Sequence, residues 1–118
     1  MTINHLNLPV RDVPEVLRLF ESYLGFNCRE IKGDHGVVVL DNSDGFTLVL
    51  MPMSKKGSDN YPELFHIGVL MDDASAVQQV YQKLKSGGVP LPAEPGKIRD
   101  GYGFYFKFDA LMVEIALK

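Results

Sequence analysis

Aliphatic residues at every second position mark short strands along this chain, and two of these runs are alike. The first follows His5 and the second follows His66. Their alternating residues are Leu6, Leu8 and Val10 in the first run, and Ile67, Val69 and Met71 in the second. Because successive side chains of a strand point to opposite faces, each histidine lies on the face away from its aliphatic set.

A third run near the carboxyl end repeats this arrangement with an acid. Val113, Ile115 and Leu117 alternate along residues 111–117, and Glu114 therefore lies on the opposite face of that strand. Two imidazoles and one carboxylate, each on the polar face of its own strand, are typical ligands of a divalent metal ion. The pattern predicts a metal site made of His5, His66 and Glu114.

Each of the two similar strands is followed by a helical pattern. Asp12 has the character of an N-cap, with Glu15 as its capping-box partner, and Gly25 ends the first helix. The second helix follows Asp73 and closes at Gly87. Its apolar stripe comprises Val77, Val80, Tyr81 and Leu84.

Three strand-like segments follow each helix, so both halves have the order β-α-β-β-β. In the first half they are residues 26–31, 36–41 and 46–51, and in the second a weak strand within 90–99, then 101–108 and 111–117. An offset of 61 residues places His5 on His66 and Asp12 on Asp73. Such a period indicates two copies of one supersecondary unit. We predict an α+β fold in one domain, with modules at about 1–52 and 64–118 and a connector at about 53–63.

Composition and charge exclude several classes of function. The 118 residues carry a net charge of −3 without a run of basic side chains, which argues against binding to nucleic acid or to an anionic membrane. No apolar run is long enough to span a bilayer. The single cysteine, Cys28, and the absence of a signal-peptide pattern favour the cytoplasm.

The histidine that opens each module, the repeated β-α-β-β-β order and the Val113-Glu114-Ile115 segment resemble the vicinal oxygen chelate superfamily. This superfamily includes glyoxalases, bleomycin-resistance proteins and extradiol dioxygenases. The resemblance implies tandem modules whose curved mixed sheet forms a cup around one divalent metal per site, and a homodimer. It places His5, His66 and Glu114 at the ligand positions. It does not distinguish Zn, Fe, Mn and Ni, or a site within one chain from one across the dimer.

One departure from glyoxalase I concerns the last strand of the first module. Glyoxalase I resembles this pattern but has an additional carboxylate there, whereas the corresponding face here presents Thr47, Val49 and Met51. None of these is acidic, so the four-ligand glyoxalase pattern is incomplete. We place Thr47 and Val49 among the substrate-binding residues.

The aromatic strand at residues 101–108 allows two orientations. If its phenylalanines pack under the second helix, Tyr105 and Lys107 face the site, where Tyr105 can act as an acid and Lys107 can contact a substrate. If the phase is reversed, the phenylalanines line the site and favour a flat apolar ligand. The charged side chains of Lys97 and Arg99 could meet an anionic ligand, but we favour exposure to solvent for both. We assign His35 to an exposed turn rather than to the metal.

Two functions of different classes fit these residues. The first, which we favour, is a metal-dependent lyase, isomerase or dioxygenase that acts on a small molecule with vicinal oxygens. The second is a metal-free protein, similar to the bleomycin-resistance proteins, that binds and sequesters a small apolar or aromatic compound.

Overall fold

The computed structural model describes residues 1–33, 36–53, 60–99 and 101–118, and the chain divides into two compact units, Met1–Asn60 and Tyr61–Lys118. Both units have the order β-α-β-β-β, which confirms the predicted fold class. The first contains β1 (His5–Val10), α1 (Val13–Tyr23), β2 (Asn27–Lys32), β3 (Val37–Asp41) and β4 (Thr47–Pro52). The second contains β5 (His66–Met71), α2 (Ala74–Ser86), β6 (Gly96–Ile98), β7 (Gly101–Phe108) and β8 (Leu111–Leu117).

Two sequence predictions concern regions that the structure covers only in part. That the units form one domain, joined by a connector at about 53–63, stays a prediction, and residues 54–59 of that connector lie outside the described residues. The predicted exposed turn at His35 lies outside them as well.

The first unit is a four-stranded mixed sheet with strand order β1-β4-β3-β2 and one helix. Strands β1 and β4 are parallel, and the other two pairs are antiparallel. Helix α1 begins as predicted, because Asp12 accepts a hydrogen bond from the Glu15 backbone N–H at 3.2 Å. It is followed by Gly25 at φ 76°, a left-handed conformation that glycine adopts without steric cost.

The second unit repeats this architecture, with strand order β5-β8-β7-β6 and a parallel β5–β8 pair. Asp73 caps α2 by accepting from the Ala76 N–H at 2.8 Å, at the position equivalent to Asp12. Val16 and Val77, which the sequence offset pairs, are both fully buried in their own units. The internal repeat inferred from the sequence is therefore confirmed.

The orientation of β7 decides between the two alternatives left open for the aromatic strand. Phe104 and Phe106 are buried, and the ring of Phe104 lies edge-on to Tyr81 of α2 with centroids 5.4 Å apart. The phenylalanines therefore pack against the helix. Tyr105 and Lys107 consequently lie on the opposite face of the sheet.

A two-residue hairpin sets the register between β7 and β8. Asp109 and Ala110 have φ values of 47° and 70°, the positive angles that a type I′ turn requires at both central positions. Phe108 pairs with Leu111 across this turn. Counting back along both strands, the same register places Tyr105 directly opposite Glu114.

The two helices of the described residues are both too short and too polar to cross a bilayer.

Gly103 is the position at which β7 and β8 leave no space for a side chain. A Cβ atom there would lie 2.1 Å from the Ile115 carbonyl oxygen and 2.8 Å from the Ala116 Cα, both backbone atoms. We expect Gly103→Ala to lower the free energy of unfolding by about 2–3 kcal/mol, measured by urea denaturation. The matched control is Gly68→Ala on β5, where the nearest atom would be Glu114 Oε2 at 3.8 Å, an ordinary contact. Equal effects of the two substitutions would contradict this assignment.

Candidate functional site

The face of the second sheet that is turned away from α2 carries the predicted acid and one of the predicted histidines. Val113 and Ile115 of β8 are buried on the helix side, and Glu114 projects from the other side. His66 of β5 lies on the same face of the sheet. In the parallel register His66 pairs with Met112, and Gly68, two residues later, pairs with Glu114. Strand pairing therefore places the imidazole and the carboxylate close together.

Glu114 is a buried carboxylate in the middle of this face. Its relative exposure is 7%, and no other charged residue among those that the structure describes is buried. Strand β8 has a neighbour on each side, so Glu114 lies between Gly68 of β5 and Tyr105 of β7. Gly68 has no side chain beside the carboxylate, and a Cβ atom there would lie 3.8 Å from Glu114 Oε2. An ionised carboxylate in this position needs cations or hydrogen-bond donors as neighbours.

The geometry of His66 resembles that of a metal ligand. Its Nδ1 lies 3.0 Å from the Leu64 carbonyl oxygen. Since a carbonyl only accepts, Nδ1 carries the proton and donates it, which leaves the lone pair of the neutral ring on Nε2. Nε2 lies 3.8 Å from Glu114 Oε1. Two ligand atoms of one tetrahedral zinc ion, each bound at about 2.1 Å, lie about 3.4 Å apart. A small side-chain rotation would bring Nε2 and Oε1 from 3.8 Å to this separation.

Arg99 is solvent-exposed, as the sequence predicts, with 64% of its side chain accessible. The sequence does not predict its contact: the guanidinium Nη2 donates to Glu114 Oε1, the same oxygen that faces His66. Arg99 occupies the turn before β7 with φ 47°. The adjacent carboxylate charge raises the pKa of Arg99 above its ordinary value. No sequence signal links Arg99 to Glu114, which lies fifteen residues later in the chain.

Tyr105 completes this group of side chains. The adjacent Glu114 carboxylate, followed by burial, raises the pKa of Tyr105 above its ordinary value, although the Arg99 guanidinium acts in the opposite direction. Its ring is edge-on to the His66 ring, with centroids 6.0 Å apart. The neutral hydroxyl is therefore the favoured form, as a proton donor requires. Lys107 is exposed on the same face of β7.

The remaining predicted site residues belong to the first unit. His5 begins β1, and its Nδ1 is hydrogen-bonded to Asn4 Oδ1 at 2.9 Å. As in His66, this leaves the lone pair of Nε2 for another interaction. Thr47 pairs with His5 in the parallel register, and its hydroxyl donates to Asp41 Oδ1 at 2.8 Å. Val49 is half-buried on the same face as Thr47.

Within the part of the chain that the structure describes, no group of three or more histidine, cysteine, aspartate or glutamate side chains is gathered around one point. The structure brings His66 and Glu114 together within one unit. The participation of His5, which belongs to the other unit, stays a prediction.

Comparison with known proteins identifies the family. The sequence profile of the Glyoxalase/Bleomycin resistance protein/Dioxygenase superfamily matches residues 2–116. The chain belongs to this superfamily. The resemblance stated from the sequence is thereby confirmed. A search of curated proteins found no match.

Solved structures of this superfamily share the architecture over the whole chain. A possible glyoxalase from Bacillus cereus is 33% identical, with a TM-score of 0.84 and 98% of each chain covered. A glyoxylase/bleomycin resistance protein/dioxygenase domain from Frankia sp. EAN1pec is 18% identical, with a TM-score of 0.82 and coverage of 99% of this chain and 97% of that one. The fosfomycin resistance protein FosX from Listeria monocytogenes is 17% identical, with a TM-score of 0.73 and coverage of 100% and 93%. The last two likenesses concern the fold alone.

The contact between Tyr105 and Glu114 can be tested by titration. In Glu114→Gln the negative acceptor is lost, so the pKa of Tyr105 should fall towards its ordinary value. Phenolate absorbance as a function of pH measures this change. The Tyr105→Phe variant identifies which of the five tyrosines is responsible. An unchanged titration curve in Glu114→Gln would show that the two side chains do not interact.

Proposed function

We propose that this chain is a metalloprotein that holds one divalent ion with His5, His66 and Glu114 and acts on a small molecule with vicinal oxygens, as a lyase, isomerase or dioxygenase. One observation supports it above the others. The His66 lone pair at Nε2 and the buried Glu114 Oε1 face each other at 3.8 Å. Two electron-rich atoms at this separation, too far apart for a hydrogen bond, suit a shared cation.

The donor set fits a metal that retains open coordination positions. Two imidazoles and one carboxylate match catalytic zinc sites and the facial triad of Fe(II) enzymes. The Leu64 carbonyl and the Asn4 side chain hold the two rings through their Nδ1 atoms, which is the usual outer support of a histidine ligand. When bound, the ion would polarise the substrate oxygens and stabilise the negative charge that develops on them.

The other predicted site residues have separate roles in the proposal. Tyr105 keeps its proton at neutral pH and is placed beside Glu114, so it can donate that proton to a substrate oxygen. We propose that the substrate is contacted by Lys107, through its charge, and by Thr47 and Val49, which belong to the first unit. A homodimer, expected from the resemblance, remains part of the proposal, and sedimentation velocity tests it. The cytoplasmic location expected from the sequence also remains a proposal.

A second candidate function is supported by a different observation. An apolar groove of about 450 Å³ lies beside Tyr105 and is lined by Pro90, Leu91, Pro92, Phe106, Lys107 and Met112. The Arg99 guanidinium already balances the charge of Glu114 without a metal. Both features suit a metal-free protein that binds a small apolar or aromatic compound.

Elemental analysis of protein purified without chelator tests the first function. We expect about one divalent ion per chain in the wild type and a loss of at least tenfold in affinity in His66→Ala and Glu114→Gln, because each removes a ligand. His5→Ala tests whether the first unit contributes a ligand. His35→Ala is the matched histidine control and should retain the ion. A wild type that binds no divalent ion would refute the metal proposal.

Fluorescence titration with an apolar aromatic probe tests the second function. Leu91→Lys places a charge in the groove and should weaken binding of the probe by about tenfold or more, since a charged side chain cannot be buried against an apolar ligand. Leu64→Lys is the control, because Leu64 is 84% exposed and lies outside the groove lining. Equal binding by both variants would exclude the groove as the site.

A further inference from the structure

The position of Arg99 bears on how the proposed metal site is filled. Its Nη2 donates to Glu114 Oε1, and His66 Nε2 faces that same oxygen at 3.8 Å. The guanidinium therefore already binds the carboxylate oxygen that a metal ion shared with His66 would need.

The two cations cannot both keep their full interaction with Glu114. Oε1 would be the ligand atom nearest His66, and an arginine N–H on that oxygen weakens the binding of an ion there, because it takes up lone-pair capacity and repels a second positive charge. Arg99 is able to leave, because its side chain is 64% exposed whereas that of Glu114 is 9% exposed. The carboxylate stays fixed within the sheet while the guanidinium has access to solvent.

We infer that Arg99 is a built-in competitor for the metal position, which neutralises Glu114 in the metal-free chain and is displaced when a divalent ion binds. This inference rests on the proposed metal function. Arg99 consequently lowers the apparent affinity of the site and stabilises the metal-free protein. It is a positioning residue for Glu114 and not a ligand.

Metal titration of the full-length chain tests this competition. After removal of metal by chelator and dialysis, Zn²⁺ is titrated against a chromophoric chelator at pH 7 with wild type, Arg99→Gln and Lys97→Gln. In wild type, Zn²⁺ must displace the charge-assisted hydrogen bond between Arg99 and Glu114. Because Arg99→Gln lacks this bond, it should bind Zn²⁺ about ten- to a hundredfold more tightly than wild type. Lys97→Gln removes the same charge from a neighbouring exposed position and should stay within about threefold of wild type.

Thermal unfolding provides an independent measurement. Without metal, Arg99→Gln should have a lower Tm than wild type, because the buried carboxylate loses its partner, and the same substitution in a Glu114→Gln background should have little effect. Saturating Zn²⁺ should raise the Tm of Arg99→Gln by more than that of wild type.

The outcomes separate the failure of this inference from that of the proposed function. If wild type and Arg99→Gln bind Zn²⁺ with equal affinity, or if Arg99→Gln binds it more weakly, the competition is refuted and the metal site stands. If neither protein binds Zn²⁺, Ni²⁺, Mn²⁺ or Fe²⁺, the proposed function fails and the competition fails with it. A Lys97→Gln effect as large as that of Arg99→Gln would show only general charge repulsion and would also refute the inference.

Discussion

A carboxylate removed from water on an open sheet face is the constraint around which the second unit is arranged. A carboxylate buried as Glu114 is needs donors or cations as neighbours, since burial forfeits most of its hydration. Two side chains meet this need, Arg99 by its charge and Tyr105 by the hydroxyl beside the carboxylate, and His66 lies next to them. Arg99 and Tyr105 come from different segments, so the interaction ties β7 and the turn before it to β8.

The strand order explains why this happens at one residue. Strand β8 is internal to its sheet, with β5 on one side and β7 on the other, so a residue on it has cross-strand neighbours in both directions. In the first unit β4 holds the same internal place, and Val49 lies between Asn7 of β1 and Val39 of β3. Val49 is thus the counterpart of Glu114 within its own unit. The two units share a framework, but only the second places a carboxylate at this position.

Much of the fold was predictable because it depends on local patterns. Apolar residues at every second position predicted the strands and their faces, and the N-caps Asp12 and Asp73 predicted the helix starts. The offset of 61 residues predicted the internal repeat. The site was predictable only in part. Alternation places Glu114 and His66 on the faces away from their aliphatic sets, whereas strand register decides that they are neighbours.

The features that were missed depend on tertiary geometry. Arg99 reaches Glu114 because the turn before β7 holds it at a positive φ, a conformation that no propensity assigns to arginine. The tautomer of His66 depends on the Leu64 carbonyl, two residues earlier in a segment without periodicity. The absence of a side chain on the β5 side of Glu114 depends on Gly68, which in the sequence is only a glycine within a strand. None of these has a signature in spacing or composition.

The pairing of Arg99 with Glu114 also connects the two functions considered for this fold. A chain that balances the carboxylate internally does not need a metal in order to fold, so the metal-free and metal-bound forms can both be stable. In the proposed function, the relative affinities of the guanidinium and the metal ion for Glu114 Oε1 decide between the two forms. Replacing Arg99 or Glu114 would shift that balance without altering the β-α-β-β-β framework.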